Sequence, residues 1–194
     1  MKVDLLSKIE NCSAKIGIIG LGYVGLPLAL RFCEENFKVI GFDSDSKKVD
    51  MLNKGISYIK HIPSSRISSF ISSDKSLFMA TGDISKLSEV DVVIICVPTP
   101  LTDKREPDMQ YVEKTAKTIA KYLRPPQLIS LESTTYPGTT EELILPLLEK
   151  KGLKAGKDFF LVFSPEREDP GNGEYTTKTI PKIIGGVSLK CLKV

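Results

Sequence analysis

The stretch GIIGLGYVGLPLAL constrains this chain more than any other. Gly20, Gly22 and Gly25 form G-x-G-x-x-G between an apolar β-type run and a helical pattern. In that spacing the first glycine allows a tight turn. The second lets backbone approach a pyrophosphate without a Cβ clash, and the third permits close helix–strand packing. A helix start also offers amide groups and the positive end of its dipole to an anion. A bare glycine pattern is equally compatible with an ordinary turn. Here an acidic residue closes the second run: Asp43 stands 21 positions beyond Gly22, close to the roughly 20 expected of a ribose-binding carboxylate. Together these residues imply a dinucleotide site, with Gly20, Leu21, Gly22, Tyr23, Val24 and Gly25 around the phosphates and Asp43 on the ribose. A carboxylate accepts bonds from both ribose hydroxyls and repels a 2′-phosphate, which favours NAD over NADP. Lys47 and Lys48 lie close by; Lys47 reads as a solvated helix face, while Lys48 is a candidate cofactor contact.

The rest of the chain repeats the alternation. Apolar runs at 15–20, 38–43, 77–81, 91–97, 127–132, 159–164 and 182–185 read as strands. Several are apolar at consecutive positions, as parallel strands covered on both faces are. Helical patterns fall at 24–35, 46–54, 108–123 and 139–150, with a short amphipathic helix in the serine-rich stretch 64–76. The expected fold class is therefore α/β: a Rossmann-type, doubly wound parallel sheet with helices on both faces. Residues 1–14 read as an N-terminal arm or helix, and 15–194 as the dinucleotide-binding domain.

Composition narrows the function classes. The 27 Lys+Arg are interleaved with 24 Asp+Glu, so the net charge of +3 marks neither a nucleic-acid nor a membrane surface. No apolar run approaches the roughly 18 residues of a bilayer span, and the N-terminus is too charged for a signal peptide. The four cysteines are widely separated with no CxxC pair. They read as reduced thiols of a cytoplasmic protein, with no metal site.

Three further segments, CVPTPL (96–101), ESTTYPGTTEEL (132–143) and FSPEREDPGN (163–172), together with GLGYVGLPLA, resemble the nucleotide-sugar 6-dehydrogenases, the UDP-glucose/GDP-mannose dehydrogenase family. The resemblance runs from about residue 15 to the end. SPEREDPGN looks most like the branch that oxidises UDP-N-acetylglucosamine or a related UDP-N-acetylhexosamine; UDP-glucose enzymes usually carry a sequence of the NPEFLREG kind there. All three segments leave the carboxyl ends of expected strands, where ligands bind in open α/β sheets. The resemblance implies that Val97, Pro98 and Thr99 line the cofactor, and that Ser133 and Thr134 border it, Thr134 helping to hold a catalytic water. The alternative for that pair is a helix cap before residue 139. Glu166 falls on the glutamate that assists proton transfer and water activation; alone it would read as a loop carboxylate in a salt bridge. Arg167, Glu168, Asp169 and Pro170 are candidate contacts to the UDP-sugar. His61, the single histidine, lies outside every motif and reads as a surface residue.

The family's chemistry, two NAD-dependent oxidations at C6, implies a cysteine that captures the aldehyde. None of Cys12, Cys33, Cys96 and Cys191 has the expected context. The chain thus reads as the cofactor-binding half of a longer, homo-oligomeric enzyme whose central helix and sugar-binding domain lie elsewhere, inactive alone. The competing readings are a UDP-glucose 6-dehydrogenase, a β-hydroxyacid dehydrogenase, against which CVPTP and SPEREDPG argue, and a stand-alone NAD-sensing module.

Overall fold

A computed structural model describes residues 4–72, 76–166 and 181–194. Its centre is a seven-stranded sheet in the order β3-β2-β1-β4-β5-β6-β7. The strands are β1 (Lys15–Ile19), β2 (Lys38–Phe42), β3 (Phe78–Thr81), β4 (Val92–Ile95), β5 (Leu128–Leu131), β6 (Phe160–Phe163) and β7 (Gly185–Gly186). The first six are parallel, and β7 alone pairs antiparallel, with β6. The Rossmann-type α/β fold expected from the alternating pattern is therefore present.

Helices α1 (Leu5–Glu10), α2 (Gly25–Glu34), α3 (Ser46–Asn53), α4 (Ser64–Ile71), α5 (Gln110–Tyr122), α6 (Leu145–Glu149) and α7 (Leu189–Leu192) complete the described structure, with a 3-10 turn at Ile84–Glu89 and a π-helical turn at Thr139–Ile144 running into α6. The strand period of two splits the apolar residues between two cores. Ile16, Ile18, Val39, Phe78, Val92 and Ile94 pack with Leu26 and Leu30 of α2 and Ile67 of α4. Ile19, Phe42, Val93, Ile95, Ile129, Leu131 and Leu161 face the other way, onto Val112, Ala116 and Ile119 of α5 and Leu148 of α6. Because both faces are covered, the central strands carry nearly unbroken apolar runs.

Two sequence expectations need correction. The amphipathic pattern over 64–76 yields a helix only to Ile71, with Ser72 as its C-cap. The run at 182–185 does not form a parallel strand. Only Gly185 and Gly186 pair, opposite Phe163 and Val162. That register sets residues 181–184 beyond the last residue of β6, where no strand can accept them. Ile183 and Ile184 are accordingly 61% and 53% exposed.

The amino-terminal end of the sheet is fastened by one carboxylate. Asp91, buried, accepts the Lys15 amide at 3.0 Å, the Lys8 ammonium at 2.9 Å and the Arg124 guanidinium at 3.1 Å. It thereby joins α1, the start of β4 and the segment leading to β5. These bonds hold its carboxyl below the ordinary carboxylate range, against the opposing effect of its burial.

Candidate active site

Strand order reverses between β1 and β4. A crevice opens there, beyond the carboxyl ends of the strands, because the following helices depart to opposite faces of the sheet. A cavity of about 820 Å³ fills it.

One end of this cavity is built by the glycine turn. Gly20 adopts φ +94°, which a side chain tolerates poorly, and its backbone lies so near β4 that a Cβ would sit 2.5 Å from the Cys96 carbonyl oxygen. Gly25 begins α2, and a Cβ there would approach the Gly20 carbonyl oxygen to 1.9 Å. Nothing stands within 4 Å of a Cβ at Gly22, which opens onto the cavity. Val24, the N-cap of α2, has no side-chain acceptor. The Leu26 amide is taken by the Gly22 carbonyl at 3.1 Å and Pro27 has no amide hydrogen, so the amides offered here are those of the turn itself, from Gly22 to Gly25. Glycine spacing, turn and helix thus form a cradle fitted to a pyrophosphate.

Asp43 follows β2. Its Oδ2 accepts the Leu21 amide at 3.0 Å, its Oδ1 accepts the Asp45 amide at 2.9 Å, and the Lys48 ammonium lies 3.9 Å away. The carboxylate expected at the ribose therefore also ties the second strand to the glycine turn. Leu21 itself points its side chain into the core and contributes only backbone. Lys48 lines the cavity with its ammonium 5.7 Å from the Tyr58 ring, whereas Lys47 is exposed and its amide is taken by the Asp45 cap. The Tyr58 hydroxyl donates to the Leu21 carbonyl. Burial, then the charges of Asp43 and Asp45, push that hydroxyl's pKa up. Tyr23, 62% exposed on the cavity rim, stacks on His61 at 6.2 Å between centroids. His61 is a surface residue, yet the fold sets it against Tyr23 of the glycine turn.

The other end is built where β4, β5 and β6 finish. Val97, Pro98 and Thr99 after β4, Ser133 and Thr134 after β5, and Glu166 after β6 line it there. The Ser133 hydroxyl donates to the Val97 carbonyl at 2.7 Å, binding the β5 terminus to the β4 terminus. Ser133 and Thr134 do not cap the following helical turn, whose N-cap is Gly138. Arg167, Glu168, Asp169 and Pro170 lie outside the described residues.

Sequence reasoning missed two contributions. Tyr111, Lys114, Thr115 and Thr118 of α5 also line the cavity. Their i, i+3, i+4, i+7 spacing on an otherwise core-facing helix was the available signal. Glu132, buried at 6% exposure beside Ser133, pairs with Lys182. Burial raises its carboxyl's pKa, the charge of Lys182 lowers it, and Glu166 raises it further. Cys96 is the thiol that meets this cavity; burial, then Glu132 and Glu166, raise its pKa, so it stays protonated and a poor nucleophile. Cys33, in the core, is pushed up to about 12. Among the described residues no cluster suited to a metal ion occurs, and no helix is long and apolar enough to cross a membrane.

An open parallel sheet with a glycine-lined, anion-accepting turn at its switch point and a carboxylate after the second strand defines a Rossmann-type dinucleotide-binding domain of a dehydrogenase. Residues 14–194 match the family model described as UDP-glucose/GDP-mannose dehydrogenase family, NAD binding domain. The chain belongs to this family and comprises its NAD-binding domain. It is 37% identical over 180 residues to protein CapL of Staphylococcus aureus, covering 92% of this chain and 41% of that protein. Its identity to the UDP-N-acetyl-D-glucosamine 6-dehydrogenase of Pseudomonas aeruginosa is 36% over 173 residues, covering 89% and 40%. The crystal structure of an NDP-N-acetyl-D-galactosaminuronic acid dehydrogenase from Methanosarcina mazei Go1 superposes with a TM-score of 0.83 at 34% identity, covering 100% of this chain and 43% of that one. The chain spans about two fifths of the length of the curated relatives it matches.

Proposed function

We propose that this chain is the NAD-binding portion of a nucleotide-sugar 6-dehydrogenase acting on a UDP-N-acetylhexosamine, with UDP-N-acetylglucosamine the favoured substrate. The observation that carries the reading is one cavity joining the glycine turn and Asp43 at one end to Thr99, Ser133, Thr134 and Glu166 at the other. In this reading NAD supplies hydride acceptance, and the residues of this chain position it. The amides of the glycine turn, from Gly22 to Gly25 at the start of α2, receive the pyrophosphate. Asp43 receives the adenosine ribose hydroxyls and repels a 2′-phosphate. Tyr111, Lys114, Thr115 and Thr118 flank the adenosine half, and Val97, Pro98, Thr99 and Ser133 the nicotinamide half. Thr134 and Glu166 stand where a sugar C6 must enter, Thr134 holding a water and Glu166 moving its proton.

Relatives named for UDP-N-acetyl-D-glucosamine and UDP-N-acetyl-D-mannosamine, at 33–36% identity, support an N-acetylhexosamine over glucose. Cys96, the one thiol in the cleft, is held protonated, so the reading places the aldehyde-capturing thiol on further polypeptide. A two-part assay tests it. Calorimetry of the 194-residue chain gives saturable NAD binding, and incubation with NAD and UDP-N-acetylglucosamine gives no NADH. NADH formation by this chain alone would show that it holds the whole chemistry; failure to bind NAD would refute the reading.

A further inference from the structure

Glu132 lines two cavities at once. One is the cleft just described; the other, of about 290 Å³, lies on the α2 side of the sheet and is lined by Ser130, Ser164 and Lys182 among apolar neighbours. A carboxylate this buried is rare without a partner. Lys182 supplies one at Oε2, while Ser130 Oγ stands 3.5 Å from Oε1. Ser164, 2% exposed, has a buried hydroxyl with no hydrogen-bond partner among the described residues, on the wall of the second cavity. Glu132 is thus the lining residue the two cavities share, and two hydroxyls and an ammonium line the second one with it.

Charged groups face this carboxyl from each neighbouring element. Lys182 comes from the segment before β7, Glu166 from the loop after β6 and the Cys96 thiol from the end of β4. Arg31 of α2 also borders the second cavity but is engaged by Glu34 and Glu35. Lys182 favours the carboxylate. Burial and Glu166 favour the neutral carboxyl, and the net effect raises its pKa.

We propose that Glu132 holds or releases a proton according to the oxidation state of the nicotinamide: carboxylate beside NAD, carboxyl beside NADH. The inference rests on the cofactor reading above. With the pyrophosphate at the glycine turn and the adenosine ribose at Asp43, the nicotinamide half would be held by the residues that line the cleft at the ends of β4 and β5, Glu132 among them. The oxidised ring carries a positive charge that the reduced ring lacks. In a low-dielectric cleft that difference acts directly on a neighbouring carboxyl. Oxidation of an alcohol to an aldehyde transfers two electrons and one hydrogen nucleus to the dinucleotide and releases the hydroxyl proton. Glu132 is the group placed to take that proton, with Ser130, Ser164 and Lys182 leading away from the cleft.

The test is equilibrium binding of NAD, NADH and ADP-ribose to the 194-residue chain across pH, in parent and Glu132→Gln. NADH affinity relative to NAD should fall as pH rises through the carboxyl's transition, by up to about tenfold per unit for one linked proton. ADP-ribose, lacking the ring, should show no such relative change. In E132Q the ratio should be flat. A flat ratio in the parent, or a slope that survives in E132Q and vanishes in Glu166→Gln, would overturn the proposal while leaving the cofactor site intact. Absence of binding by either dinucleotide would overturn the cofactor reading and this one with it. Should E132Q fail to fold, the infrared difference between NADH- and NAD-bound parent decides: a gained protonated-carboxyl band supports the proposal, and its absence overturns it.

Discussion

The Asp43 carboxylate accepts the backbone amide of Leu21 at 3.0 Å, across the gap between the second strand and the glycine turn. One side chain therefore does two things: it lines the cleft, and it fixes the glycine turn.

Replacing Asp43 should separate these roles. Asp43→Ala should weaken NAD binding by about 1–3 kcal/mol, the cost of losing charge-assisted bonds, and reduce discrimination against NADP. Asp43→Asn, which keeps an acceptor for the Leu21 amide, should retain the turn and lose chiefly the NAD-over-NADP preference. Calorimetric titration of both variants with both dinucleotides checks this. Unchanged NAD affinity in Asp43→Ala would remove Asp43 from the site.

Gly22 and Gly25 should fail in different ways. A Cβ at Gly25 would lie 1.9 Å from the Gly20 carbonyl oxygen, so Gly25→Ala must push α2 away from β1. Forced overpacking of this kind costs about 1–3 kcal/mol or more, and the cradle is lost with it. Gly22→Ala meets no atom within 4 Å and projects into the cleft. Its thermal stability should stay within about 0.5 kcal/mol of the parent while NAD binding drops. Melting curves paired with NAD titrations distinguish the two.

Asp91 gives stability a pH dependence of definite sign. Its folded-state carboxyl is held below the ordinary carboxylate range. Its contribution is therefore fully present above the unfolded value near 4 and disappears as pH falls through the lower folded value. Asp91→Asn should be less stable than the parent at neutral pH, by about 1–3 kcal/mol from the loosened Lys8, Lys15 and Arg124 bonds. The gap should close in acid. Thermal unfolding of both proteins from neutral pH to about pH 3 measures it; a gap that widens in acid would contradict the assignment.

Much of this was legible along the chain because it depends on neighbours in sequence. Gly20, Gly22 and Gly25 set their own turn, and the consecutive apolar residues of β1 and β4 announce strands covered on both faces. Asp43 was legible through a fixed spacing. The contacts that span the fold were not. Tyr23 meets His61, and Glu132 meets Lys182, only because the sheet brings distant segments together; neither pair shares a motif. The run at 182–185 misled for the same reason: Ile183 and Ile184 look like a strand, but pairing depends on where β6 ends. The α5 residues that line the cavity carried a periodic signal, hidden beneath the stronger core pattern of Val112, Ala116 and Ile119.

Backbone amide mapping during an NAD titration tests the central claim most directly, since it reports both binding and place. The account predicts saturable shifts at Gly22, Tyr23 and Val24, at the amide of Asp43, and at Thr99, Ser133 and Thr134, with the Asp91 end of the sheet unmoved. Shifts confined to that opposite end, or none at saturating NAD, would contradict it.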